Sequence, residues 1–278
     1  MREITVAHSP DADDAFMFWA LSTERVVVPG VKYVHILKDI QTLNREAFRG
    51  TYDLTAVSIH GYAYLHKTYA LLTAGGSIGD RYGPRVVSTR PFTREDLRGK
   101  RIGHPGELTT AFLALKLWLP EFEAVAMDFA EVGPAVKRGE VDAGVIIHEG
   151  QLTWETEGFR LVQDLGEWWF QDTGLKLPLG ANAIKRSLGQ PLLGQTATAL
   201  KRTIEEGLQH RDEALTHAMK YGRGLDRAQA DAFVGMYVNE ETVEMSAATR
   251  RSAQLLLDRA YAAKLIPEPV HLEFVACA

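Results

Sequence analysis

Ile4-Thr5-Val6-Ala7-His8-Ser9-Pro10-Asp11-Ala12-Asp13-Asp14-Ala15-Phe16 opens the chain and sets its architecture. Residues 4–8 read as a buried strand and residues 9–14 as a turn dense in carboxylates. Residues 15–21 read as a helix weighted with Phe16, Phe18 and Trp19. The unit recurs down the first two-thirds of the sequence. Val34-His35-Ile36-Leu37 is a second strand, after which Asp39 caps a helix carrying Leu43, Ala47 and Phe48 that stops at Gly50. Leu54-Thr55-Ala56-Val57 runs into Ser58-Ile59-His60-Gly61. Strands follow at residues 86–88, 101–103, 125–127 and 143–147, with helices through Ala111, Leu115 and Trp118 and over residues 132–138. Such alternation predicts an α/β protein with parallel or mixed sheets covered by helices. From about Gln190 the pattern changes to helices over residues 192–210, 212–221, 228–237 and 242–263, with no convincing strand. The chain is expected to cross between two units near Gly83-Pro84 and Pro178-Leu179-Gly180.

Composition narrows the function classes. A chain of 278 residues suggests one large or two modest domains, and 46% hydrophobic residues supply a real core. Thirty-one Lys and Arg against 36 Asp and Glu, a net charge of -5, argue against a nucleic-acid partner. The single cysteine, Cys277, excludes an intrachain disulfide and a cysteine-based metal cluster. Strand-like sequence from Ile4 leaves no room for a secretory signal, and charges interrupt every apolar run before it could span a bilayer. The expectation is a soluble cytoplasmic protein that meets a small molecule, with no nucleic-acid or membrane partner. Its C-terminal helices are available either for packing or for forming a homodimer.

Ligands of α/β sheets sit beyond the carboxyl ends of the strands. Four such ends here carry polar groups: residues 9–14, 58–60, 104–110 and 148–149. Asp11, Asp13 and Asp14 suit either ligand orientation or helix capping. Gly106-Glu107-Leu108-Thr109-Thr110-Ala111 leads into a helix N-terminus, which is an anion cradle or an ordinary cap. It is neither a P-loop nor a dinucleotide fingerprint. His148 is delivered to the sheet edge by the apolar run Gly144-Val145-Ile146-Ile147, where a neutral imidazole can act as general base or bond a loop carbonyl. Glu149 can hold its tautomer, although adjacent strand residues face opposite ways. His60 lies near Ser58, but no nucleophile elbow surrounds that serine. His35, His66, His210, His217 and His271 read as surface or core residues and Trp168-Trp169-Phe170 as packing or a lid wall. No His-x-x-His or Cys-x-x-Cys spacing supports zinc.

Taken together, His8 to Phe16, Asp39-Ile40-Gln41-Thr42-Leu43-Asn44, Thr109-Thr110-Ala111, Ile146-Ile147-His148-Glu149 and Leu177-Pro178-Leu179-Gly180 form an ordered set. In this respect the chain resembles, over nearly its whole length, the 1,4-dihydroxy-6-naphthoate synthase family of the futalosine route to menaquinone. The resemblance implies a two-lobed fold of the type II periplasmic-binding-protein kind with a central cleft. Residues 1–84 plus 180–278 would form the larger lobe and residues 85–179 the smaller inserted one. It implies cleavage of cyclic dehypoxanthinylfutalosine to 1,4-dihydroxy-6-naphthoate by a lyase that uses no metal or organic cofactor. It also places the catalytic base at His148 and substrate-binding segments at Ala56-Val57-Ser58 and Thr110-Ala111, with Asp14 matching an acidic position of the opening motif. Two alternatives come from other directions: the sister branch that dehydrates chorismate, and a non-catalytic cytoplasmic protein that binds a small acid and releases it unchanged.

Overall fold

A computed structural model describes residues 1–221, 225–275 and 277. The strands fall into two sheets. β1 (Arg2–His8), β2 (Val31–Leu37), β3 (Leu54–Ser58), β4 (Tyr69–Leu72) and β5 (Ser77–Gly79) belong to the first. β6 (Arg85–Ser88), β7 (Arg101–His104), β8 (Glu123–Ala126), β9 (Ala143–Ile146) and β10 (Arg160–Asp164) build the second, and the chain then returns to the first sheet with β11 (Leu177–Lys185) and β12 (Phe274–Val275). The first sheet runs β12-β4-β11-β3-β1-β2 with β5 also on β11, and the second runs β10-β6-β9-β7-β8. Both are mixed. β1 is parallel to β2 and β3, whereas β11 is antiparallel to β3, β4 and β5. In the second sheet β7 is parallel to β8 and β9, and β6 is antiparallel to β9 and β10.

Apolar burial explains why the strands form where they do. Ile4, Val6 and Ala7 of β1 and Ala143 and Val145 of β9 are fully buried; each branched side chain of this kind contributes about 1.5–3 kcal/mol on leaving water. The two faces of the first sheet are covered by different helices. Val57, Leu71 and Ala183 pack with Leu256 and Leu257 of the helix Ala247–Ala262. Leu54, Leu72 and Ile184 pack with Phe16 and with Leu200 of the helix Leu192–Gln209. No helix among the described residues is long and apolar enough to cross a membrane.

Several boundaries differ from the sequence expectation. The first helix starts at Ala12, not Ala15, because Asp11 takes the extended N-cap conformation and puts Asp13 and Asp14 in the first turn, where the helix dipole favours acids. It stops at Met17, and a second short helix, Trp19–Ser22, follows. The expected helix over residues 242–263 divides into Glu240–Val243 and Ala247–Ala262: the Met245 N–H leaves for the Thr73 carbonyl at 2.7 Å, and Ser246 caps the second piece. The C-terminal region does contain a strand, since Phe274 and Val275 extend the open edge of β4. Pro178 and Gly180, which signal a turn, lie inside β11; the ladder shifts register between them, so the missing Pro178 donor falls at an irregularity.

The two passages between the sheets lie side by side. The Leu165 N–H donates to the Pro84 carbonyl at 2.9 Å, and the Asp164 side chain caps the helix Leu165–Thr173 while accepting from Arg85 Nε at 3.2 Å. Backbone meets backbone here: a Cβ on Gly166 would lie 2.0 Å from the Tyr82 carbonyl oxygen and 2.7 Å from the Gly83 nitrogen. Neither partner is a flexible side chain, so nothing nearby can yield. Gly166→Ala is therefore expected to cost at least about 2 kcal/mol, read as a lowered denaturant midpoint. A midpoint equal to the parent's would show that the crossing is loosely packed.

Candidate active site

Between the two sheets lies a cavity whose empty space, counted with its open mouth, is roughly 840 Å³. Its walls come from the carboxyl ends of β1, β3 and β9, from β11, and from the start of the helix Thr110–Trp118. Three of the four polar strand ends singled out in the sequence thus converge through Ser9, Asp14, Ser58, Thr109 and Thr110. Ile147 and Gln151, on either side of His148, line the cavity as well.

Ser58 ends β3 and is buried. The Asn44 side chain holds it twice: Nδ2 donates to Ser58 Oγ at 3.0 Å, and the Ser58 N–H donates to Asn44 Oδ1 at 2.9 Å. With its oxygen already accepting, Ser58 keeps its hydroxyl proton as the donor to offer a ligand. Gly61 makes room for this clamp, since a Cβ there would sit 2.6 Å from Asn44 Oδ1.

Thr110 works differently. Its hydroxyl donates to the Leu179 carbonyl at 2.6 Å and accepts from the His60 N–H at 3.2 Å, which spends its proton within the protein. What the segment offers a ligand is backbone. The N–H groups of Thr110 and Ala111 stand in the first helical turn, where no intrahelical carbonyl reaches them, and Thr109 caps the turn by accepting from the Phe112 N–H at 3.2 Å. Across the cleft, Gln41 Oε1 accepts from the Leu108 N–H at 3.1 Å, tying the loop before this helix to the helix Ile40–Ala47.

Asp14 bends back to accept the Ser9 N–H at 2.7 Å, and the Ser9 hydroxyl donates to Asp11. Burial, opposed by the Ser9 hydrogen bond and aided by the Asp11 charge, pushes the Asp14 carboxyl up to about 7. Asp13 lies well above the carboxylate range through burial and the charges of Asp14, Asp11 and Glu149. At neutral pH this turn therefore carries less negative charge than three aspartates imply. Behind it, burial and the neighbouring His35 hold His8 neutral, down at about 3; its Nδ1 pairs with the Ser9 carbonyl at 3.0 Å and its Nε2 with His35 Nδ1 at 3.1 Å.

His148 follows the wall residue Ile147 but does not itself line the cavity; its side chain is 23% exposed and stands beside the Phe129 ring at 5.5 Å between centroids. Its Nδ1 accepts from the Gly150 N–H at 3.0 Å and lies 3.8 Å from Glu149 Oε2. Ala56 and Val57 line the cavity with Ser58. His60 faces the Thr109 carbonyl at 3.3 Å, and the His104 ring stacks on Phe112; neither lines the cavity. Trp169 is fully buried, its Nε1 donating to Ser252 Oγ at 2.9 Å, which makes it a packing residue.

Three wall residues escaped the sequence reading. Tyr237 donates to Gln151 Oε1 at 2.6 Å, and burial raises its hydroxyl far above the ordinary phenol value. Asn182 comes from β11. A buried amide within an apolar strand was the available signal for Asn182; for Gln151 and Tyr237 the sequence carried none.

Raising the Asp14 carboxyl from 3.8 to about 7 makes the folded state bind its proton more tightly than the unfolded chain. Stability from this group is full below about pH 4, declines as pH rises to about 7, and stays reduced above that. Asp14→Asn keeps an acceptor for the Ser9 N–H and removes the penalty. The variant is expected to melt about 5 °C above the parent at pH 8 and level with it at pH 4. A pH-independent difference would mean that Asp14 is ionised across the range.

The chain is similar to known proteins over nearly its whole length. The family described as Menaquinone biosynthesis matches residues 4–262. A 1,4-dihydroxy-6-naphthoate synthase of Streptomyces coelicolor is 36% identical over 274 residues, covering 95% of each chain. One of Thermus thermophilus is 36% identical over 270 residues, covering 97% of this chain and 98% of its own. Among solved structures, an Archaeoglobus fulgidus protein superposes with a TM-score of 0.92 at 45% identity, covering 95% of this chain and 98% of its own. The alkanesulfonate-binding protein SsuA of Xanthomonas axonopodis, solved with MOPS, superposes with a TM-score of 0.73 at 15% identity over 100% of this chain and 99% of its own, which places the fold among the two-lobed periplasmic-binding-protein type. Its full-length likeness to the two synthases places this chain in the menaquinone-biosynthesis family, as an enzyme of the 1,4-dihydroxy-6-naphthoate synthase kind.

Proposed function

We propose that this enzyme is a cytoplasmic lyase that cleaves the small molecule cyclic dehypoxanthinylfutalosine to 1,4-dihydroxy-6-naphthoate, with His148 as general base. The lobes in this reading are built on the two sheets, the smaller one inserted between Pro84 and β11. The observation that carries it is one cavity walled by Ala56, Val57, Ser58, Thr110 and Ala111, to which the segment carrying His148 contributes Ile147 and Gln151, its flanking residues in sequence.

The product's carboxylate suits the Thr110 and Ala111 N–H groups, where the positive end of the helix dipole meets an anion. Ser58 donates to a second oxygen. Asp14, about half protonated at pH 7, repels the substrate less than a fully ionised carboxylate would. The base then removes a carbon-bound proton, and the freed electron pair expels the sugar-derived fragment as the bicyclic ring becomes aromatic. Holding the reacting groups together in a cleft that excludes water lowers the barrier further.

The Gly150 N–H bonded to Nδ1 leaves the neutral His148 ring protonated on Nε2. Accepting a proton at Nε2 requires the other tautomer, with Nδ1–H turned toward Glu149 Oε2, 3.8 Å away. Glu149 is 4% exposed and sits where it can receive that bond.

Incubation of the purified protein with cyclic dehypoxanthinylfutalosine, followed by chromatography and mass detection, tests the assignment. His148→Asn is expected to fold and bind substrate but turn over at least about a hundredfold more slowly; near-parent turnover would remove His148 from the base role. Glu149→Gln is expected to lower kcat by about tenfold or more with little change in KM. An unchanged kcat would show that the tautomer is set elsewhere.

A further inference from the structure

Asn182 lies on β11 directly opposite Ala56, next to the β3 segment assigned to substrate, and is 1% exposed. Its Nδ2 donates to the Gly75 carbonyl at 2.9 Å and lies 3.8 Å from Met17 Sδ. A carbonyl partner fixes which end of the amide faces Gly75, so Oδ1 is committed as an acceptor. Gly75 is itself pinned: its N–H donates to the Thr242 carbonyl at 2.7 Å, and its φ of +80° favours glycine. A Cβ at that position would lie 2.4 Å from Asn182 Nδ2. The amide is thus built into place, yet Oδ1 is buried with no donor. An orphaned buried acceptor is rare in a folded protein, and here the residue that carries it lines the ligand cavity.

The surroundings indicate which donor it awaits. Met17 lies one helical turn after Asp13, so Asn182, beside Met17, stands near the acidic turn. No lysine or arginine among the described residues lines the cavity. An acceptor beside carboxyl groups favours a neutral hydroxyl over an anion.

We infer that Asn182 is a specificity-determining residue whose Oδ1 accepts a hydrogen bond from a hydroxyl of the sugar-derived part of the substrate. This rests on the proposed function and extends it to the fragment that leaves. A site that hydrogen-bonds a hydroxyl discriminates strongly against the analogue lacking it, because its own buried group is then left unpaired.

The test is steady-state kinetics of the parent and of Asn182→Leu with cyclic dehypoxanthinylfutalosine and with its monodeoxy analogues in the sugar-derived part. With the natural substrate the variant is expected to lose at least about tenfold in kcat/KM, mostly through KM. One deoxy analogue should be penalised similarly with the parent but show no further loss with the variant. A purely structural role would lower the melting temperature and penalise every analogue alike, and that result, or an unchanged KM, overturns the inference. Should the leucine variant not fold, Asn182→Ala carries the same comparison. A parent that turns over the natural substrate without this coupling removes the role of Asn182 alone. A parent that leaves the substrate untouched removes the assigned reaction, and the inference falls with it.

Discussion

The Thr110 hydroxyl sits where the two sheets meet, donating to the Leu179 carbonyl of β11 and accepting from the His60 N–H just past β3. These two contacts bring the first turn of a helix that caps the second sheet against two strands of the first. Ser58 lies two residues before His60, and Asn182 three residues after Leu179, so both stand in fixed relation to this junction. The Gln41 bond to the Leu108 N–H secures the same loop from a third direction. One consequence is a division of labour. Because the hydroxyl is spent on holding the sheets, in the proposed function recognition at this point falls to the backbone N–H groups of Thr110 and Ala111, whose direction the helix fixes.

The second constraint is electrostatic. A turn with three aspartates beside a cavity would repel an anionic substrate if all were ionised. Burial raises Asp13 and Asp14 instead, and the residues holding the turn, His8 and Ser9, are a neutral imidazole and a hydroxyl. The carboxyl groups thereby become polar surfaces of low charge, while the helix N-terminus on the other side keeps its positive character. In the proposed function, a cavity polarised in this way orients a substrate that carries a carboxylate at one end and hydroxyls at the other.

The architecture itself does not choose between capture and catalysis. Sulfonate-binding proteins have the same two-lobed fold at 13–15% identity. What separates this chain from a simple receptor is its kinship with the synthases at 36% identity. In the proposed mechanism that difference comes down to the His148 imidazole, next in sequence to the wall residue Ile147, with the buried Glu149 side chain 3.8 Å from its Nδ1.

Much of this was legible in the chain itself. Alternating apolar runs and polar turns dictate the α/β class, because a strand buried on both faces must be apolar while its carboxyl end, opening on a cleft, is free to be polar. Ser58, Thr110 and Asp14, which line the cavity, were readable on that ground. Short edge strands were not: Phe274 and Val275 are too few to show a period, and Pro178 and Gly180 disguise β11 as a turn. Only the tertiary structure decided that the Thr110 hydroxyl is a structural tie, that Asn182 presents an unpaired acceptor, and that Tyr237 and Gln151 join the wall. Local sequence sets which residues form an element and which of them are buried. Hydrogen-bond direction and proton affinity depend on partners tens or hundreds of residues away, and only the folded chain brings those together.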